Sequence, residues 1–202
     1  MNDNASMLNM NSSPNMIDRI PIKKDPILFD VAIQELQKHL GNKISWLNHV
    51  FGKSEQLIKE INDREYLLPY VYIGNGEYIG VAPDSHLGNF CFFELEDPNT
   101  VKVDIIDRPT IESNINLILW CDLRTFQKID NRNTEYVKQI ILRALNSAVL
   151  TPYGRVVINK IYERKENVFG RYDLNVLDNQ FCMYPFCALK FNLNLIIKDS
   201  CI

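Results

Sequence analysis

The sequence predicts an α+β fold, in which two main helices pack on a mostly antiparallel β-sheet in a single domain with an extended N-terminal arm. Two stretches, over about 26–40 and 134–149, have apolar residues at helical spacing and predict the helices. Elsewhere the apolar pattern changes to a period of two, which is typical of strands with one buried face. Because the predicted strands lack regular helical crossovers, an antiparallel sheet is favoured over a parallel one.

The first predicted helix covers residues 26–40. Asp25 can cap its N-terminus, Pro26 suits the first helical position, and Gly41 follows its predicted end. A second helical stretch, interrupted near its middle, is expected over 43–61.

Two consecutive hairpins are predicted next. The first pairs residues 68–73 with 78–81 across a turn rich in glycine, and the second pairs 90–95 with 101–106 across a turn that contains Pro98. The glycines at 74, 76 and 80 lack the spacing of a dinucleotide-binding loop and no helix follows them, so a hairpin turn is the better interpretation.

The second half of the chain contains the other main helix, over 134–149, which Asn133 or Thr134 can cap. Four more strands are predicted, over 116–126, 155–162, 172–176 and 185–198. The last strand is the longest, and its alternation predicts one buried and one polar face. At such length it is expected to extend beyond its own domain toward a neighbour.

Residues 1–20 are rich in asparagine, serine and methionine and have no periodicity, which predicts a flexible arm ahead of a domain that covers 21–202. Methionine and leucine side chains adapt to a partner's groove. The candidate contacts in the arm are Met7, Leu8, Met10 and Met16. The alternative is a tail that makes no contacts.

Composition limits the function classes. Hydrophobic residues make up 46% of the chain and the formal net charge is −3, which favours a globular protein and argues against a general nucleic-acid binder. No apolar run reaches the roughly 18 residues that a membrane-spanning helix needs, and we expect no signal peptide. The odd number of cysteines predicts reduced, buried thiols; they are Cys91, Cys121, Cys182, Cys187 and Cys201.

No catalytic residue, cofactor or metal site is predicted. Cys91 and His86 are the best candidates for a nucleophilic pair, but Cys91 lies in an apolar strand that should raise its pKa. Glu94, Glu96 and Asp97 are expected to form a solvated acidic rim. The cysteines near the C-terminus have no histidine beside them, so free thiols are favoured over a zinc site.

The segment 155–171 interleaves basic and aromatic side chains and is predicted to be an exposed hairpin that meets a protein neighbour. Contact with phosphates is the alternative. Its candidate interface residues are Arg164, Lys165, Phe169 and Arg171.

Three segments, taken in order, carry a resemblance to a known family. They are the helix 26–40, the strand 116–124 with the helix 134–149, and the closing run 183–193. In element order over about 26–198 the chain resembles the tail-completion or tail-terminator proteins of tailed bacteriophages, which form rings at the head–tail connector. The asparagine-rich composition suits an AT-rich phage, and the multi-ring neck of crAss-like phages is one setting that fits.

The resemblance implies a non-enzymatic structural subunit. Its copies would join by sheet pairing and exchanged arms into a cyclic homo-oligomer. The ring would dock onto neighbouring portal, connector or tail proteins, and DNA would pass through its channel without specific binding. It implies a place in the neck or tail of the virion, after synthesis in the cytoplasm of the bacterial host.

Two other functions stay open on the sequence alone. One is a soluble adaptor or inhibitor module that binds a single host or phage protein. The other is an enzyme of unknown type, with Cys91, His86 or the acidic residues 94–97 in a cleft.

Overall fold

A computed structural model describes residues 18–74, 76–83, 86–102, 110–148, 154–173, 181 and 183–198. In this part of the chain the helices are α1 (Phe29–Lys43), α2 (Thr134–Asn146) and α3 (Lys165–Val168). The strands are β1 (His49–Ile61), β2 (Arg64–Gly74), β3 (Glu77–Gly80), β4 (Phe90–Leu95), β5 (Thr100–Lys102), β6 (Thr110–Asp122), β7 (Gly154–Tyr162) and β8 (Phe186–Lys198). They follow one another in the order α1-β1-β2-β3-β4-β5-β6-α2-β7-α3-β8.

The described strands form one sheet with the order β3-β2-β1-β4-β6-β8-β7, and β5 pairs with the first residues of β6. Their pairings are antiparallel except for that of β1 with β4, which is parallel. The predicted class, a mostly antiparallel sheet with helices packed on it, is therefore confirmed.

Each face of the sheet carries its own hydrophobic core. On one face α1 and α2 pack against alternate residues of the central strands, such as Leu119 and Phe191. On the opposite face a second core contains Phe92 and Trp120, and it is covered in part by the segment after β7, through Phe169. On β6 this second face contains the buried Ile118 and Trp120 together with polar residues such as Asn116.

Strand β8 lies inside the sheet. It pairs with β6 over its whole length, from Asp122 opposite Phe186 to Thr110 opposite Lys198, and with β7 on its other side. Its length is thus used within its own domain, and the prediction that it extends toward a neighbour is wrong.

Helix α1 begins three residues later than predicted. Asp25 and Leu28 both have positive φ, and Leu28 is the N-cap residue without a side-chain cap. Gly41 lies within the helix, where a β-carbon would come within 2.3 Å of the Ile20 Cδ1. The glycine thus leaves room for the Ile20 side chain and does not mark the end of the helix.

The helix predicted over 43–61 is wrong, because most of this stretch forms β1. The chain reverses at Asn62 and Asp63, which both have positive φ as in the tight turns that match the twist of a hairpin. Pairing of β1 with β2 on one side and with β4 on the other outweighs the weak helical pattern.

The first predicted hairpin is confirmed as β2 and β3, but the second is not a hairpin. Strands β4 and β5 both pair with β6, at Leu95 opposite Ile115 and Thr100 opposite Glu112. The chain therefore continues along the same edge of β6 after the turn at Pro98. The rest of the strand predicted over 101–106 lies mostly outside the described residues.

The described start of the chain packs on the domain. The Arg19 guanidinium donates to the carbonyls of Leu47 and Ile44 at 2.9 and 2.8 Å, and the Val50 amide donates to the Arg19 carbonyl. Residues 18–20, which the sequence analysis placed in the arm, are therefore anchored to the fold.

Helix α2 begins where the sequence predicts. The Asn133 Oδ1 accepts a hydrogen bond from the Tyr136 amide at 2.7 Å, and so satisfies one amide of the first turn.

We expect Asn133→Ala to lower the free energy of unfolding by about 1 kcal/mol, because this amide loses its acceptor. Asn133→Asp, which keeps an acceptor, is the control and should cost much less. Urea denaturation of both variants measures the difference, and equal losses would show that capping is not the cause.

Candidate functional site

The outer half of β1 and the first half of β2 leave the sheet as a two-stranded arm. Strand β1 pairs with β4 only as far as Lys53, and from Ser54 to Ile61 it pairs only with β2 among the described strands. We call residues 55–65 the projecting hairpin. Its residues 55–60 are all exposed, so neither face is covered.

The projecting hairpin presents apolar side chains to solvent. Ile58 is 67% exposed and its neighbour Leu57, which points to the opposite face, is 36% exposed. An isolated two-stranded hairpin is only marginally stable in water. Exposed apolar surface on such an element is typical of sites that contact another protein.

A short segment after α3 braces the base of the projecting hairpin. The Asp173 amide donates to the Leu67 carbonyl and the Leu67 amide donates to the Asp173 carboxylate, each at 2.9 Å. The side-chain Nε2 of Gln56 donates to the backbone carbonyl of Arg171 at 2.9 Å. The hairpin is therefore held in a fixed direction although its outer residues are free of the sheet.

The structure separates the predicted interface residues. Arg164 is exposed just before α3, and Lys165 is half-buried in that helix. Arg171 is exposed, and its guanidinium donates to the Leu95 carbonyl at 3.0 Å. Met7, Leu8, Met10 and Met16 lie outside the described residues.

Phe169 is not available as a surface contact. It is 2% exposed because α3 turns it into the second core. The segment 155–171 is not a hairpin either, because β7 pairs with β8 and the chain then crosses the sheet face through α3.

One residue of the predicted acidic rim is buried. Glu94 is 2% exposed, whereas Glu96 is half-buried and Asp97 is exposed. The side-chain Nδ2 of Asn116 donates to Glu94 Oε2 at 3.2 Å and to Glu96 Oε1 at 2.7 Å. The Asn116 Oδ1 accepts a hydrogen bond from the side-chain Nδ2 of Asn192 at 3.1 Å. A polar row therefore crosses β4, β6 and β8 on the face opposite the main helices.

Burial raises the pKa of the Glu94 carboxyl, and the neighbouring Tyr172 hydroxyl and Asn116 amide offset this only in part. The Glu94 Oε1 has no hydrogen-bond partner of good geometry within the described residues. The Tyr172 hydroxyl shares a 3.2 Å hydrogen bond with Ser54, and burial raises its pKa as well. The carboxyl therefore favours its neutral form more than an exposed glutamate does.

A cavity of about 200 Å³ opens beside this network, between the outer half of β1 and the end of β4. Its polar lining includes Ser54, Gln56, Glu94, Asp97, Arg171 and Tyr172. A larger groove of about 310 Å³ lies between α1 and strands β1 to β3, with Lys23 paired to Asp30 at its wall. Within the described ranges, no three His, Cys, Asp or Glu side chains converge to hold a metal ion.

The cysteines in the described residues are buried. Cys91 has no exposed surface and burial raises its pKa, which argues against a nucleophilic role. Cys121 and Cys187 lie opposite each other on β6 and β8, and a hydrogen bond between the two thiols lowers the pKa of Cys187 while raising that of Cys121. Cys91, Cys121 and Cys187 are free thiols, as predicted, and the remaining two cysteines lie outside the described residues.

Neither the projecting hairpin nor the burial of Glu94 was predicted from the sequence. Asn62 and Asp63 between two runs of alternating residues are a recognisable hairpin signal. Glu94 has no comparable local signal, because the residues that bury it come from distant parts of the chain.

A comparison with protein-family models and with curated protein sequences finds no match for this chain. Among the helices of the described ranges, none combines the length and the apolar character needed to cross a membrane.

Proposed function

We propose that this chain is a structural subunit that assembles with copies of itself and with neighbouring proteins, as the ring-forming subunits of phage head–tail connectors do. The observation that carries the proposal is the projecting hairpin, which is braced at its base and exposed on both faces. A braced arm with uncovered apolar side chains is suited to contact a second protein.

The sheet offers further surfaces for assembly. Strands β3 and β7 end the strand order, so each has one side without a partner strand in the described part of the chain. Unpaired strand edges are templates for pairing between chains. A subunit with an edge at each end of its sheet and an arm beside it has the elements that a head-to-tail ring needs.

The net charge of −3 fits a ring wall that surrounds DNA without gripping it. In this proposal the partners are further copies of the chain and adjacent portal, connector or tail proteins, in the neck or tail of a virion.

We expect Ile58→Asp to weaken self-association at least about tenfold, as loss of a contact worth about 1.4 kcal/mol does. Its unfolding midpoint should stay close to that of the wild type, because the side chain is 67% exposed. Sedimentation velocity over a concentration series measures the first effect and thermal unfolding the second.

Ile129→Asp is the matched control, because Ile129 is equally apolar and 75% exposed but lies outside the projecting hairpin. It should assemble like the wild type. A wild-type chain that stays monomeric at every concentration would contradict self-assembly, and an Ile58→Asp variant that assembles normally would contradict the role of the hairpin.

A further inference from the structure

We propose that the free edge of β1 in the projecting hairpin pairs with the β7 edge of a second copy, so that the sheet of one subunit continues into the next. This inference rests on the proposed function and names the partner of the hairpin. It also predicts which two surfaces meet at every subunit boundary.

The first edge belongs to the outer half of β1. Beyond Lys53 no strand among the described residues pairs with β1 on the side that β4 occupies, because β4 ends at Leu95 and the following β5 pairs with β6. From Glu55 to Ile61, the described backbone hydrogen bonds of β1 go to β2. The other side of this stretch is therefore an open acceptor for a strand.

The second edge belongs to β7. This strand pairs with β8 on one side and ends the strand order on the other, so its outer backbone groups have no partner strand in the described residues. It runs from Gly154 to Tyr162, which is long enough to match the open stretch of β1.

One face of the projecting hairpin carries an acidic pair, whereas the basic Lys59 and Arg64 alternate onto the other face. Glu60 and Glu65 lie directly opposite each other on β1 and β2, both are exposed, and neither forms an ion pair with another described residue. Like charges directly opposite each other destabilise a strand pair. A basic partner would relieve this repulsion.

Strand β7 carries the complementary charge. Arg155 and Lys160 are exposed, and neither forms an ion pair within the described ranges. A β-bulge at Asn159 adds one residue to β7 between them. Arg155 and Lys160 therefore lie opposite Ile196 and Asn192 of β8, on the same face of the sheet. The two basic side chains therefore lie on the same face of this edge strand.

The charges also decide which edges pair. Two β7 edges would bring four basic side chains together, and two hairpin edges would bring four glutamates together. Of these three arrangements, the pairing of β7 with β1 is the one that joins opposite charges. Such a contact is heterologous, so repeated copies form a closed ring where the rotation allows closure.

Charge reversal tests the inference on the full chain. Arg155→Glu with Lys160→Glu, and separately Glu60→Lys with Glu65→Lys, should each weaken self-association at least about tenfold. An equimolar mixture of the two double variants should recover assembly, because each reversed edge then meets a reversed partner. Sedimentation velocity at low and high salt measures this, and wild-type assembly should weaken as salt increases.

Lys24→Glu with Lys128→Glu is the matched control for the β7 variant, because it makes the same change in net charge at exposed positions that belong to neither edge strand. It should assemble like the wild type, and thermal unfolding of each variant establishes that it is folded. If the wild type assembles and the edge reversals change nothing, or if folded variants fail to recover in the mixture, this inference is overturned and the proposed function stands. If the wild type never assembles, both are overturned.

Discussion

Replacing Trp120 with alanine is expected to lower the free energy of unfolding by about 3–5 kcal/mol. The side chain is 1% exposed and stacks on Phe186 and Phe90, with ring centroids 5.2 and 5.7 Å away. Its indole N–H donates to the Phe181 carbonyl at 2.6 Å. The alanine variant loses the buried area, the ring contacts and this hydrogen bond at once.

Trp120→Phe separates packing from hydrogen bonding. It keeps most of the ring contacts and leaves the Phe181 carbonyl without its donor, so we expect a loss of about 1–3 kcal/mol. Urea denaturation followed by far-UV circular dichroism measures both variants, since the tryptophan itself cannot report on its own removal. A loss below about 1 kcal/mol for Trp120→Ala would mean that the second core contributes little to stability.

Local sequence patterns were sufficient to predict several elements. Helix α2, with its Asn133 cap, and the alternation of β8 were predictable because each signal lies within a few residues. The apolar partners of Trp120 were harder to predict, because Val168 and Phe169 stand in a charged segment that resembles a solvated loop.

Pairings between distant parts of the chain were not predictable in the same way. The parallel contact of β1 with β4 joins residues separated by three strand connections, and the outer half of β1 has no buried face to give a period of two. Its leucine and isoleucines at 57, 58 and 61 fit a helical spacing as well as a strand. The turn at Asn62 and Asp63 was the local signal that favoured the strand.

The same limit applies to the polar network. Glu94 follows an apolar strand and precedes two acidic residues, so its local pattern is that of a solvated strand end. Its burial depends on Ser54, Asn116 and Tyr172, which the fold brings together from β1, β6 and the segment after α3. Because these contacts come from distant parts of the chain, the local spacing of residues does not predict that Glu94 is buried.

Glu94→Gln is expected to make the protein more stable at neutral pH. Burial raises the pKa of this carboxyl above its ordinary value of 4.5, so the folded chain binds the proton more tightly than the unfolded chain. The stabilising contribution of Glu94 is therefore complete below about pH 4.5 and is lost as the pH rises through the raised pKa. Glutamine has the shape of the neutral acid and does not titrate, so it avoids this loss.

We expect the variant to gain about 1–2 kcal/mol over the wild type at pH 7, from the cost of a buried charge without full hydrogen bonding, and to match it at pH 4. Urea denaturation of both proteins at a series of pH values measures the difference between their free energies of unfolding. Taking this difference cancels the contribution of the other carboxyls, which titrate in both proteins. Glu96→Gln is the matched control, because Glu96 accepts from the same Asn116 amide but is only half-buried. A Glu94→Gln variant that is less stable than the wild type at pH 7, or a difference that does not change with pH, would show that the ionised carboxylate is well accommodated in the fold.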